Sequence, residues 1–265
     1  MKKKLTALTL ALALGLTLTA CGGKTDQADS DKAYVQGKGK LIVGMTDFAP
    51  MDYKEDGKDE WIGFDADMAK AFAQYLGVEV EFLELADWDA KAMELDTKAI
   101  DVVWNGMTIS QEVKELMSVS LAYCNNAQVV VLPANLAADY QTEESLSALR
   151  FAAENGSVGA DELESRGLSY TATQNQAAAL MEVASGASDA AVIDLLMAGA
   201  MIGEGTSYPD LTYTVLLSDE EYGVGFRKGS DLVDAFNTFW KEAYDAGTVM
   251  EVAATYGVQE SIIPQ

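Results

Sequence analysis

Phe64-Asp65-Ala66-Asp67-Met68-Ala69-Lys70-Ala71-Phe72-Ala73-Gln74-Tyr75-Leu76-Gly77, with the Val78-Glu79-Val80-Glu81-Phe82-Leu83 that follows, decides the fold class. Phe64, Met68, Phe72 and Leu76 recur every fourth residue with Ala71 and Tyr75 beside them, the apolar stripe of an amphipathic helix. Asp65 and Asp67 stand at its front, where carboxylates cap free N–H groups and favour the helix dipole. Gly77 stops it, and 78–83 then alternates as a strand. Upstream, Leu41-Ile42-Val43-Gly44-Met45 is a short apolar run fit for a buried strand. Downstream, a helix over Trp88 to Leu95 leads into a strand over Ile100-Asp101-Val102-Val103-Trp104. Strand, helix, strand, helix, strand predicts a parallel sheet with helices on its faces.

Further out the pattern repeats. Ala127 to Leu132 reads as a strand, and Pro133-Ala134-Asn135 as a crossing point. Phe151-Ala152-Ala153 is a strand, Gly156 opens a helix, and Ser169 to Thr173 is a strand. Gln174 to Ala184 is a helix and Ala190 to Ile193 a strand. A strand and turn begin at Tyr222, and two helices, about Asp231–Ala246 and Thr248–Tyr256, close the chain. Gly223-Val224-Gly225 lacks the later glycine of a dinucleotide loop.

The first twenty residues are of another kind. Lys2, Lys3 and Lys4 precede an apolar run of about 14 residues from Leu5 to Leu18, short of the ~18–20 that cross a bilayer, so the segment reads as a secretory signal. Leu18-Thr19-Ala20-Cys21 then resembles the lipobox of a bacterial lipoprotein, which implies cleavage after Ala20, lipidation of the Cys21 thiol and an extracytoplasmic chain anchored to the membrane. From Gly22 to about Gly39 the residues are polar without period, and 21–37 reads as a flexible tether.

Composition removes several function classes. Residues 1–20 hold three lysines and no acids, so losing them takes the net charge from −24 to −27. Such a chain has no basic surface for nucleic-acid phosphates and is repelled by anionic membrane surfaces. With Cys21 lipidated, Cys124 has no disulfide partner. There is no histidine, which excludes Ser-His-Asp and Cys-His catalysis and every His-ligated metal site. Carboxylates, hydroxyls, amides and aromatic faces remain, and no cofactor or metal is called for.

Four segments in order carry a resemblance: Gly44-Met45-Thr46-Asp47-Phe48-Ala49-Pro50-Met51-Asp52-Tyr53; Trp61 to Ala69; Ile100 to Ser110; and Glu221 to Gly229. From about residue 38 onward the chain resembles bacterial solute-binding proteins of the amino-acid type, family 3. The resemblance implies a two-lobed α/β periplasmic-binding-protein fold (type II), with a ligand cleft between lobes joined by two crossing strands. Lobe one is expected at 38–131 with 222–265, and lobe two at 132–221. It implies a monomer serving an ABC permease and its ATPase, with an amino acid or amine as ligand.

Carried onto this sequence, the family's pocket places Phe48 over the ligand. Asn105, Gly106 and Thr108 meet it with backbone and small polar groups, and Asp194 pairs with an α-ammonium. Ser157 and the helix start beside it remain able to hold an anion. Two positions depart. Val113 stands where the family carries an arginine that forks onto the α-carboxylate, and Val158 stands where a hydroxyl often helps. Glu154 stands where the family tends to be neutral, and Lys114 is a poorer substitute for the arginine. Phe48, Trp88 and Trp104 are aromatic candidates for the cleft, the two tryptophans reading slightly more readily as core. Acids with aromatic faces suit a cation, so the expectation is a cationic amine rather than a standard amino acid. Asp47 reads as turn residue or pocket acid, and Asp65 as a cap.

Two rivals stand beside this reading. A dehydratase-like enzyme would use Glu154 as its acid, but the missing arginine disfavours its anionic substrate. A sensor module would be expected to continue past Gln265 into a membrane helix and signalling domain.

Overall fold

The computed structural model describes residues 30–265, so the signal segment and Cys21 lie outside the described residues. Chain order is α1 (Asp31–Lys38), β1 (Lys40–Met45), α2 (Phe64–Leu76), β2 (Glu79–Glu84), α3 (Lys91–Asp96), β3 (Val102–Thr108), α4 (Gln111–Leu116), β4 (Ser118–Val119) and β5 (Cys124–Pro133). Then come β6 (Phe151–Glu154), α5 (Val158–Ser165), β7 (Tyr170–Thr173), α6 (Gln176–Ser185), β8 (Ala190–Asp194), α7 (Leu195–Met201), β9 (Leu211–Phe226), α8 (Leu232–Asp245) and α9 (Thr248–Tyr256).

The sheet runs β2-β1-β3-β9-β5-β8-β6-β7, with β4 also on β9. At one end β1 pairs in parallel with β2 and β3; at the other, β6 pairs in parallel with β7 and β8. The same strand–helix–strand–helix–strand unit has thus been laid down twice, each time with its first strand in the middle. Such an order makes successive crossovers leave the middle strand in opposite directions, opening a crevice at the carboxyl ends of the strands. Between the two units lie β5 and β9, antiparallel to each other from Cys124↔Tyr222 to Pro133↔Leu211. These are the two crossing strands.

Each period read from the sequence folds as its spacing requires. α2 buries Phe64, Met68, Phe72 and Leu76 and stops at Gly77, whose φ of 76° gives a left-handed C-cap. The helix read over Trp88 to Leu95 starts as a 3₁₀ turn, Trp88–Ala90, and becomes α-helical at Lys91.

The tether expected over 21–37 is corrected at its end. Residues from Asp31 form α1, with Ser30 capping the Ala33 N–H and Val35 fully buried. The helix is held from outside rather than by its own apolar period. Asp31 lies against the Arg227 guanidinium at 2.9 Å, and Ser30 donates to Asp231 at 2.5 Å. A pattern search over 21–37 cannot see those distant partners.

Candidate functional site

A cleft of about 280 Å³ lies where the two parallel units face each other across β5 and β9. Its walls come from the carboxyl ends of strands. Thr108 ends β3, Glu154 ends β6 and Asp194 ends β8, while Thr46, just after β1, reaches across to Glu154. Phe48, Asn105, Gly106, Thr108, Glu154, Ser157 and Asp194 all line the cleft.

Trp104 does not. It is fully buried on the opposite face of β3, its ring edge-on to Phe236 at 4.9 Å and against Trp240 at 6.2 Å. In a strand covered on both faces the apolar run is nearly continuous, and alternation alone cannot say which face looks at the cleft. Trp88 does line it. Lys114 is exposed and not part of the wall, and neither Asp47 nor Asp65 lines it.

The first wall is pinned from behind. Asn105 Nδ2 donates to the Thr46 carbonyl at 3.0 Å and to Asp52 Oδ2 at 2.8 Å, and its Oδ1 accepts from Thr46 N at 3.0 Å and Oγ1 at 2.9 Å. That amide is engaged by the scaffold. Asp65 Oδ2 accepts the Gly106 N–H and the Tyr123 hydroxyl, both at 2.7 Å, fixing the Gly106 peptide. Gly106 has φ 55°, and a Cβ there would stand 2.4 Å from Phe48 Cε1, so only glycine lets the Phe48 ring close over the wall. Burial pushes Asp65 up to about 7.

The second wall is acidic. Asp194 accepts from the Tyr222 hydroxyl at 2.5 Å and from the Gln128 amide. Gln128 also donates at 2.9 Å to Glu220, which accepts from Thr108 Oγ1 at 2.8 Å and from Asn126. Glu154 accepts from Thr46 Oγ1 at 3.1 Å. Every one of these partners is neutral; among the described residues none of the three carboxylates makes an ion pair. Burial, the largest cause in each case, pushes Asp194 up to about 6, Glu154 to about 8 and Glu220 to about 8.

Ser157 lines the cleft, but its hydroxyl caps α5 by accepting the Ala160 N–H at 3.2 Å. Val113, also in the wall, is packed with Trp88, Met107 and Met117 and offers no charge.

Glu220, Gln128 and Lys91 are the site residues that the sequence did not suggest. Gln128 and Lys91 line the cleft, and Glu220 stands directly behind it. The two halves are also closed on each other. Asn155 Nδ2 donates to Asp87 at 3.0 Å, and a Cβ on Gly156 would fall 2.5 Å from that of Asp89.

The comparisons with known proteins agree with this geometry. The arginine-binding extracellular protein ArtP of Bacillus subtilis (strain 168) is 32% identical over 254 residues, 92% of this chain and 94% of ArtP. A mutant of ArgBP from T. maritima superposes with a TM-score of 0.79 at 29% identity, covering 85% of this chain and 98% of that one. The ancestral amino-acid-binding protein AncCDT-1, described as a precursor of cyclohexadienyl dehydratase, superposes with a TM-score of 0.77 at 28% identity, over 86% and 99% of the two chains. Residues 41–259 match the family description itself. With its doubled parallel unit, its two crossing strands and its cleft at the strand ends, the chain belongs to the bacterial extracellular solute-binding proteins, family 3.

Proposed function

We propose that this protein captures a small cationic solute, a basic amino acid or related amine, and delivers it to an ABC permease. One observation carries the proposal: Glu154 and Asp194 are buried at the cleft, with the half-buried Glu220 behind them, and only neutral hydrogen-bond donors surround the three. Burying a charge is costly unless it is paired, and a positively charged ligand supplies the pair. The arginine named for ArtP is of this chemical class. Trp88, at the cleft wall, adds an aromatic face for a cation.

Around this site, lobe one is taken as 38–131 with 222–265 and lobe two as 132–221. Anchoring through lipid on Cys21 and action as a monomer complete the reading. We further propose binding without turnover. A dehydratase would find a protonated acid in Glu154, but the described cleft lining holds no arginine for the carboxylates of an anionic substrate.

A thermal-shift panel tests the proposal. At 100 times its dissociation constant a ligand stabilises the fold by about 2.7 kcal/mol. Arginine, lysine, histidine, agmatine and cadaverine are compared with glutamine and glutamate. Stabilisation by the cationic compounds is expected; glutamine or glutamate binding more tightly than all five would overturn it.

A further inference from the structure

Lys91 is the cation of the described cleft lining, and nothing in the sequence marked it. It opens α3 directly after the Trp88–Ala90 turn, and only 9% of it is exposed. Its Nζ lies 5.0 Å from the centre of the Trp88 ring and donates to the Trp88 carbonyl at 3.2 Å. Across the cleft it donates to the Gly156 carbonyl at 3.4 Å. An ammonium has three N–H donors, so one is left for another acceptor.

No carboxylate of the described residues comes within ion-pair distance of Lys91. Burial draws its pKa down, against the attraction of Asp89, Glu154, Glu112 and Asp161. A buried ammonium between two carbonyls and an aromatic ring, facing a cleft, lacks only an anion. The acids that attract it, Asp89, Glu154, Glu112 and Asp161, all stay beyond ion-pair distance, and Val113 and Met117 pack with Trp88 as an apolar floor.

We propose that Lys91 is the anion seat of the cleft, pairing with a carboxylate of the solute while Glu154 and Asp194 take its positive charge. This rests on the cationic reading above and narrows it to basic amino acids, in preference to the amines left by their decarboxylation. The pairing is a point charge on a flexible stem and not a fork. It also ties binding to closure, because the same ammonium holds Gly156 of the facing wall.

The test measures affinities of the protein and its K91M and K91R variants for matched pairs, L-arginine with agmatine and L-lysine with cadaverine, by titration calorimetry. Met keeps the apolar stem and removes the charge, so the variant retains the packing on Trp88. The wild type is expected to prefer each amino acid over its amine. In K91M the amino acids should lose about thirtyfold or more, the scale of truncating one partner of a buried charge pair, while the amines change by less than about threefold. K91R should keep most of the preference. Equal weakening of both members of a pair in K91M would make Lys91 a latch between the halves and overturn the proposal. So would a wild type that binds agmatine as tightly as arginine, an outcome that leaves the cationic reading standing. Binding of glutamine with no binding by either pair would instead overturn the cationic reading, and this one with it.

Discussion

Two groups of buried acids in this molecule have opposite surroundings. Beside the start of β3, Asp101 is fully buried with Lys38 at 2.7 Å and Arg227 at 3.6 Å, and Asp31 has Arg227 at 2.9 Å. The same guanidinium donates to the carbonyls of Leu95 at 3.0 Å and Ile100 at 2.8 Å. At the cleft, Glu154 and Asp194 are also buried, with Glu220 half-buried behind them, and the three have only amides and hydroxyls. The first group is complete as it stands and serves the fold. The second is left short of positive charge and, unlike the equally unpaired Asp52 and Asp65 behind the first wall, stands at the cleft, where a ligand can bring it.

That contrast breaks most visibly when one charge is removed from each group. R227M strands Asp31 beside two freed carbonyls and should cost about 3–5 kcal/mol in denaturant unfolding, the usual result of breaking a buried pair. D194N removes a charge that has no counter-ion, and an asparagine oxygen still accepts the Tyr222 hydroxyl. Its unfolding free energy should stay within about 1 kcal/mol of the wild type. Its affinity for a cationic ligand should nevertheless fall by about thirtyfold or more. A D194N protein as unstable as R227M would erase the distinction between the two groups.

The difference between them also explains what the sequence could and could not show. Strand and helix periods come from burial on one side, so α2, β2, α6 and the closing helices were legible from residue spacing. Phe48, Asn105, Gly106 and Thr108 were read from the ordered segments that resemble the family, and Glu154, Ser157 and Asp194 from carrying the family's pocket onto this sequence. Lys91 was not, because a lysine inside the pattern Trp88 to Leu95 reads as a solvated face. Glu220 was hidden for the same reason. Ser218-Asp219-Glu220-Glu221 looks like surface acid, and only the pairing of β9 with β5 turns Glu220 towards Asn126 and Gln128. Arg227 and Asp31 are 196 positions apart, and no local pattern joins them.

The cleft acids should also set the pH dependence of the empty protein. Glu154 rises from an ordinary 4.5 to about 8 on folding. Between those values the folded chain holds its proton more tightly than the unfolded one. The contribution to stability is therefore fully present below about 4.5 and is lost as pH climbs through about 8. The melting temperature of the empty protein should decline from pH 5 to pH 8.5, and E154Q should decline less steeply. A saturating cation, which favours the ionised carboxylate, should flatten the wild-type slope as well. Identical slopes in wild type and E154Q would remove Glu154 from the group that awaits a counter-ion.

The smallest effect separates the two kinds of residue within the cleft wall itself. Ser157 lines the same space as Glu154, yet its hydroxyl accepts the Ala160 N–H at the start of α5. It belongs with Asn105, a polar group satisfied by the scaffold, and not with the acids. S157A should cost about 0.5–2 kcal/mol of stability, as loss of an N-cap does, whether or not ligand is present. The ligand affinities of S157A should match the wild type within about threefold, about 0.65 kcal/mol. If S157A instead keeps its stability and loses affinity for amino acids while holding agmatine, the hydroxyl leaves the cap to meet a carboxylate. Lys91 would then share the anion seat with the helix start, and the cleft would sort its ligand with both walls.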